Sequence, residues 1–194
     1  MTNRILLAAL TGAAMFSASV LAAQPNWNNV QLSYAKLDID DTDISANGLD
    51  LSGSVLVGSN YILQGNFLSV SDEIFGVDVD LDWTSIGMGY RHAITGNTDV
   101  FGIVSYESVE LSASSRFDSE SEDDNGYGLA IGVRSMLNDN IELKGVISRI
   151  DIEDAETFIE GSVAYYFAPQ FAVGAGYKVG DDMDLFTISA RYSF

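Results

Sequence analysis

Apolar and polar residues take turns through most of this chain, and they do so to its last position. Phe186, Ile188, Ala190, Tyr192 and Phe194 are separated by Thr187, Ser189, Arg191 and Ser193. A period of two belongs to an extended strand with two unlike faces. The same alternation marks nine earlier segments, at 30–34, 49–57, 61–67, 86–90, 100–106, 127–137, 141–147, 159–167 and 171–177. The fifth is blurred, because Phe101 and Ile103 fall among the polar positions. A soluble edge strand tipped with Tyr and Phe would invite aggregation. A wall strand in lipid carries an apolar outer face and an ionised inner one without that hazard. The pattern therefore predicts an all-β fold, a single antiparallel transmembrane β-barrel of ten strands. Eight strands is the alternative, with two of the weaker segments set outside the wall.

The start of the chain reads as an export leader. Arg4 is a short positive region, residues 5–21 are apolar or small, and Val20, Leu21 and Ala22 suit a cleavage site. The expected organisation is a signal peptide at 1–22 and a barrel domain at 23–194. No later segment approaches the run of about 20 apolar residues that a membrane helix needs. There are no cysteines, so an exported fold must gain stability elsewhere, as a closed hydrogen-bonded ladder does. The formal charge is −19, from 28 acids and 9 bases. Such a polyanion repels nucleic-acid phosphate, and its natural counterions are divalent cations. No cofactor is expected.

Short turns rich in Gly, Asn and Asp follow the even-numbered segments: Gly58-Ser59-Asn60, residues 93–97, Asn138-Asp139-Asn140 and residues 168–170. The odd-numbered segments lead into acidic connections, which are expected to be longer loops, the longest at 112–125. An even strand count puts both termini on the short-turn side, expected to be periplasmic. Tyr61, Tyr90, Tyr165, Phe167, Phe171, Tyr192 and Phe194 fall near the short turns, and Tyr34, Tyr106, Tyr127 and Tyr177 near the opposite rim. Two such girdles are where amphipathic rings are favoured. Trp27 and Trp83 are expected at the two interfaces.

The leader, the alternating strands and the closing Ala190-Arg191-Tyr192-Ser193-Phe194 resemble the small outer-membrane β-barrel proteins of Gram-negative bacteria, the porin-like and OmpA/OmpX-like group. The resemblance covers essentially the whole mature chain. It implies a place in the bacterial outer membrane, contact with its lipid and lipopolysaccharide, and recognition by the barrel-assembly machinery through Ile188, Tyr192 and Phe194.

The inward-facing ions are the first candidate site. Arg91, Arg134, Glu142, Lys144 and Arg191 are expected in the short-turn half of the lumen, with Glu107 and Glu160 higher. Two readings follow, a structural salt-bridge network or the gate of a narrow conduit, with inward glycines such as Gly87, Gly89, Gly128, Gly132, Gly174 and Gly176 leaving room for water. The acidic clusters are the second candidate. The spacing Asp38-x-Asp40-x-x-Asp43 offers hard oxygen ligands but lacks the glycine and distal Glu of a calcium loop. It reads as an anionic rim. Barrel hydrolases need a nucleophile or water activated by a base, usually His. His92 is the only histidine and falls at the opposite end from the acids, so no catalytic residues are assigned. The expected function is a non-enzymatic outer-membrane barrel with a porin-like, surface or structural role.

Overall fold

The computed structural model describes residues 24–39, 45–74, 77–114 and 119–194. The leader expected at 1–22 and the acids Asp40, Asp41, Asp43 and Asp118 lie outside them. The chain forms a closed, all-antiparallel barrel of ten strands: β1 (Asn29–Ile39), β2 (Ser45–Val57), β3 (Tyr61–Ile74), β4 (Val77–Thr95), β5 (Thr98–Ser114), β6 (Ser119–Met136), β7 (Ile141–Asp151), β8 (Ala155–Ala168), β9 (Phe171–Val179) and β10 (Met183–Ser193). Each strand pairs with its sequence neighbours. The cylinder closes where β1 meets β10 in unbroken register, from Asn29 opposite Ser193 to Ile39 opposite Met183. Closure removes the sheet edge and satisfies the ladder without help from solvent. It also decides the count in favour of ten strands over eight.

The alternation fixes the faces. Leu32, Leu51, Ile86, Leu129, Ile131 and Ile188 point outward and are exposed, while Ser33, Asp50, Glu107, Arg134 and Glu142 point inward and are buried. The short turns sit as expected, and Gly58, at φ 65°, takes the left-handed conformation that most side chains resist. The turn expected at 93–97 is tighter than that: β4 runs through His92 to Thr95, with a register irregularity against β5 between Ala93 and Thr95, and only Gly96 and Asn97 form the turn.

The acidic connections are not long loops. β5 runs to Ser114 and β6 restarts at Ser119, so most of the segment 112–125 is paired strand. β4, β5 and β6 have 19, 17 and 18 residues, against 9 to 11 in β1, β7, β9 and β10. At about 3.3 Å per residue, the surplus raises a one-sided wall roughly 20–25 Å above the rest of the rim, before tilt.

Within that wall the alternation continues with its polarity exchanged. Ile86, Met88 and Tyr90 face outward lower on β4; higher up the same face carries Asp82, Asp80 and Asp78, and Trp83, Leu81 and Val79 turn inward. β5 does the same, with Tyr106 and Val104 outward below, Glu110 outward above and Val109 inward. Strand geometry is indifferent to which face is greasy. The switch marks where the outer surroundings change from apolar to aqueous.

Candidate functional site

The lumen is the first candidate, and two inward apolar clusters stand in it. Near the short turns, Trp27, Ile62, Phe101 and Ile103 pack together. Trp27 precedes β1, and the chain folds it under the barrel instead of leaving it at the interface. Its indole N–H donates to Asp99 at 2.7 Å, its ring meets Phe101 edge-on at 5.1 Å, and the Arg134 guanidinium lies 4.9 Å from its centre. The blurred alternation of β5 is thereby explained, since Phe101 and Ile103 are plug residues. Three of the inward glycines, Gly87, Gly89 and Gly132, make room for the plug. A Cβ at Gly132 would strike the Phe101 ring, and one at Gly87 or Gly89 would strike Ile103. A Cβ at Gly128 would instead meet Ser105 and Glu107, and one at Gly176 would meet Thr187.

At the other end Leu37, Leu68, Val70, Ile150, Phe158 and Trp83 form a second cluster. Trp83 also faces inward, contrary to its expected interfacial place. Its N–H donates to Glu107 at 2.8 Å, and the Lys178 ammonium sits 5.4 Å from the centres of both the Trp83 and Phe158 rings. A cation held over aromatic rings gains roughly 0.5–2 kcal/mol, the more the less water reaches it.

A cavity of about 290 Å3 runs along the lumen, lined by residues of both clusters and by the polar and charged groups between them. The structure places every expected lumen ion on its wall or beside it. Arg91 reaches Asp99 at 2.7 Å. Glu142, almost wholly buried, contacts Arg134 at 2.9 Å and Arg191 at 2.7 Å. Arg191 also donates to Gln31 and to the Tyr166 hydroxyl. Lys144 pairs with Glu160 at 2.8 Å. Among the described residues Glu107 forms no salt bridge; it accepts from Trp83, Ser85 and Ser105. Asp50 accepts from Ser33 and Asn66. Asp99, Asp50 and Lys178 were not among the sequence candidates. With them the inner wall carries five carboxylates (Asp50, Asp99, Glu107, Glu142, Glu160) and five cations (Arg91, Arg134, Lys144, Lys178, Arg191).

The second candidate lies at the tall rim, in a cleft of about 460 Å3. The inner face of the wall supplies Leu81, Val109 and Leu111 to its floor, the β7–β8 connection supplies Ile152, the start of β10 supplies Met183, and carboxylates surround it. Elsewhere on the rim, Lys36 donates to both carboxylate oxygens of Asp38, at 2.6 and 2.8 Å. That contact and a hydrogen bond from Ser45 hold the Asp38 carboxyl below its ordinary range. Among the described residues no cluster of three or more His, Cys, Asp or Glu is arranged to hold a metal ion.

The outward face carries two aromatic belts. Tyr61 and Tyr90 meet edge-on, and Phe167, Phe171, Tyr192 and Phe194 form a chain of ring contacts around the short-turn rim. Ile188 shares this exposed face with Tyr192 and Phe194. In the opposite belt Tyr34, Tyr106 and Tyr177 donate to Asn47, Asn125 and Asp184. Each ring thus stays on the apolar band while its hydroxyl reaches the polar side.

Residues 6–194 match the family described as outer membrane protein beta-barrel domain. A comparison with curated protein sequences gives no match. Among solved structures, the attachment invasion locus protein Ail of Yersinia pestis, in complex with the heparin analogue sucrose octasulfate, is 14% identical. It superposes with a TM-score of 0.51 over 86% of this chain and 95% of that one. The outer membrane protein OprG of Pseudomonas aeruginosa is 12% identical, with a TM-score of 0.48 and 91% and 99% coverage. The KdgM porin is 10% identical, with a TM-score of 0.48 and 84% and 99% coverage. At these identities the likeness to Ail speaks for the barrel fold alone.

Proposed function

The chain belongs to the outer membrane protein beta-barrel domain family, and from that premise we propose a non-enzymatic barrel with a closed lumen whose working surface is the tall rim. The observation that carries this reading is the pair of apolar plugs, centred on Trp27 with Phe101 and on Trp83 with Phe158. Aromatic clusters at both ends oppose a hydrated path for ions, and the bonded charges between them brace the wall from inside. The short-turn rim, with both termini, faces the periplasm, and the wall of β3 to β6 stands outside the cell. The acidic outer face of that wall suits divalent cations that bridge lipopolysaccharide phosphates. Ile188, Tyr192 and Phe194 suit recognition by the assembly machinery, as the family resemblance implies. His92, exposed at the short-turn end, lies far along the barrel from the rim acids, which fits a role without hydrolytic chemistry.

Planar-bilayer recording of the refolded protein tests the closed lumen. The expected record shows no discrete openings, and steady porin-like conductance overturns the reading. A gated conduit is the second reading, favoured by the cavity of about 290 Å3 along the lumen; it expects openings under a voltage step that vanish when the step ends. The absence of cysteines makes the topology simple to test. Ser121→Cys is expected to react with an impermeant maleimide on intact cells, and Ser59→Cys only after permeabilisation. The opposite pattern reverses the orientation.

A further inference from the structure

The cleft at the tall rim has a feature the embedded barrel lacks: a free strand edge. β5 pairs with β6 from Ser119 upward in sequence, but β7 first meets β6 at Tyr127, opposite Asp151. Along 119–125 the side of β6 turned away from β5 has no strand partner among the described residues. An unpaired edge of seven residues, about 23 Å long, is a template for another strand. A second copy of this chain is a poor occupant, because Glu120, Glu122, Asp123 and Asp124 would oppose their own counterparts, and like charges across a ladder repel.

The surroundings select a different occupant. On the cleft side, β6 presents Glu122 and Asp124, and the connection between β7 and β8 adds Glu153 and Asp154 to the lining. Asp181 and Asp182 close the far end, where Glu156 is occupied in accepting their backbone N–H groups. No salt bridge neutralises Glu122, Asp124, Glu153 or Asp154 among the described residues. The floor between these acids is apolar, with Leu81, Val109 and Ile152 in it. Leu111, 47% exposed, stands on the cleft side of the wall, away from the apolar belt of the barrel. Such a floor accepts the methylene stems of long basic side chains while their heads reach the carboxylates.

We propose that this cleft binds an extended cationic peptide by strand addition to the free edge of β6. Lys or Arg at every second position of the peptide faces Glu122 and Asp124 on one side and Glu153 and Asp154 on the other. Arg suits the site better than Lys, because its planar fork grips a carboxylate through two parallel hydrogen bonds. The inference builds on the tall rim as the working surface, but the chemistry of the cleft is the same whichever side of the membrane that rim faces.

The test uses the full-length barrel purified in a neutral detergent and a fluorescent heptapeptide of alternating Thr and Arg. Saturable binding is expected, weakened at least tenfold by the double substitution Glu122→Lys, Asp124→Lys. A peptide of alternating Thr and Glu is expected not to bind. The decisive probe is the Thr/Arg peptide N-methylated on the backbone amides that would face β6. Its charge is unchanged but its ladder donors are gone, and binding is expected to fall at least tenfold. Equal binding of the methylated peptide, or no saturable binding by the parent, overturns the proposal. Circular dichroism and the heat-sensitive gel mobility of folded barrels establish that the double variant has folded. Because the assay contains no membrane, a reversed topology in the labelling experiment leaves its outcome intact, and a closed lumen is neither required nor tested by it.

Discussion

Below Thr84 and above it, β4 is one continuous strand with one hydrogen-bond register, yet its two halves obey opposite rules. In the lower half Ile86, Met88 and Tyr90 look outward, and charge turns inward to find a partner, as Arg91 finds Asp99. In the upper half Asp82, Asp80 and Asp78 look outward and Trp83 and Leu81 line the interior. The lesson is that period two specifies a strand, whereas the phase of the apolar residues specifies the solvent. Burial divides the two regions as sharply. Carboxylates of the lower cylinder are largely sequestered and each meets a cation or hydrogen-bond donors, while Asp78, Asp80 and Glu110 of the wall are exposed.

Removing charge where it cannot be replaced should therefore produce the largest effect. Glu142 balances both Arg134 and Arg191, and its side chain is 2% exposed. Glu142→Gln leaves two buried guanidinium groups without a counterion. Breaking a buried pair in this way costs about 3–5 kcal/mol, which urea unfolding of the refolded barrel in lipid vesicles would register as a lower midpoint. An unchanged midpoint would mean that the cavity is as wet as the wall, and the contrast between the two regions would fail.

The outward faces allow a paired experiment on a single strand. Met88→Lys places a cation in the middle of the apolar band, where the expected cost is about 2–4 kcal/mol. Asp80→Lys, eight residues higher on the same face, is expected to change stability by no more than about 0.5 kcal/mol. Equal penalties would place Asp80 inside the apolar layer and remove the polarity switch. Lys178→Met sharpens the comparison at the boundary itself. It deletes the ammonium over Trp83 and Phe158 but keeps the stem, so a loss of about 0.5–2 kcal/mol is expected in the same unfolding assay.

The same contrast explains what could be read from the sequence. The ten strands were legible because each embedded segment alternates and each is bounded by turn residues or acids. The girdles and the inward ions followed from parity alone. The upper strands were not legible as strands. Asp78-Val79-Asp80-Leu81-Asp82 does alternate, but its density of acids reads as a solvated loop. Residues 119–125 are polar on both faces and carry no period; pairing with β5 alone makes them extended. Both tryptophans were misplaced for a related reason. An interfacial indole and a plug indole look alike in sequence, and the partner that captures Trp27 is Asp99, 72 positions away. Asp99 itself follows Gly96-Asn97-Thr98 and reads as a turn residue, although it is completely buried against Arg91 and Trp27.

The smallest expected effect belongs to the hydrated side. Asp38 lies on the outward face at the rim end of β1, beyond Tyr34, and the Lys36 ammonium holds its carboxyl below the ordinary value of 3.8. A carboxyl whose pKa is lowered by folding stabilises the folded state above its unfolded pKa. That contribution fades as pH falls through the lowered value. The window therefore lies below about pH 4, and nothing should change between pH 5 and pH 7. Both groups are well exposed, so water already screens the pair and the variant Lys36→Met should differ little from the parent at neutral pH. What does differ is the titration. Carboxyl-carbon NMR of Asp38 is expected to show a midpoint below 3.8 in the parent and a return towards that value in the variant. A midpoint unmoved by the substitution would leave the lowering to Ser45, the other hydrogen-bond donor on this carboxylate. It would also show that even a contact of 2.6 Å is electrostatically silent once it stands in water.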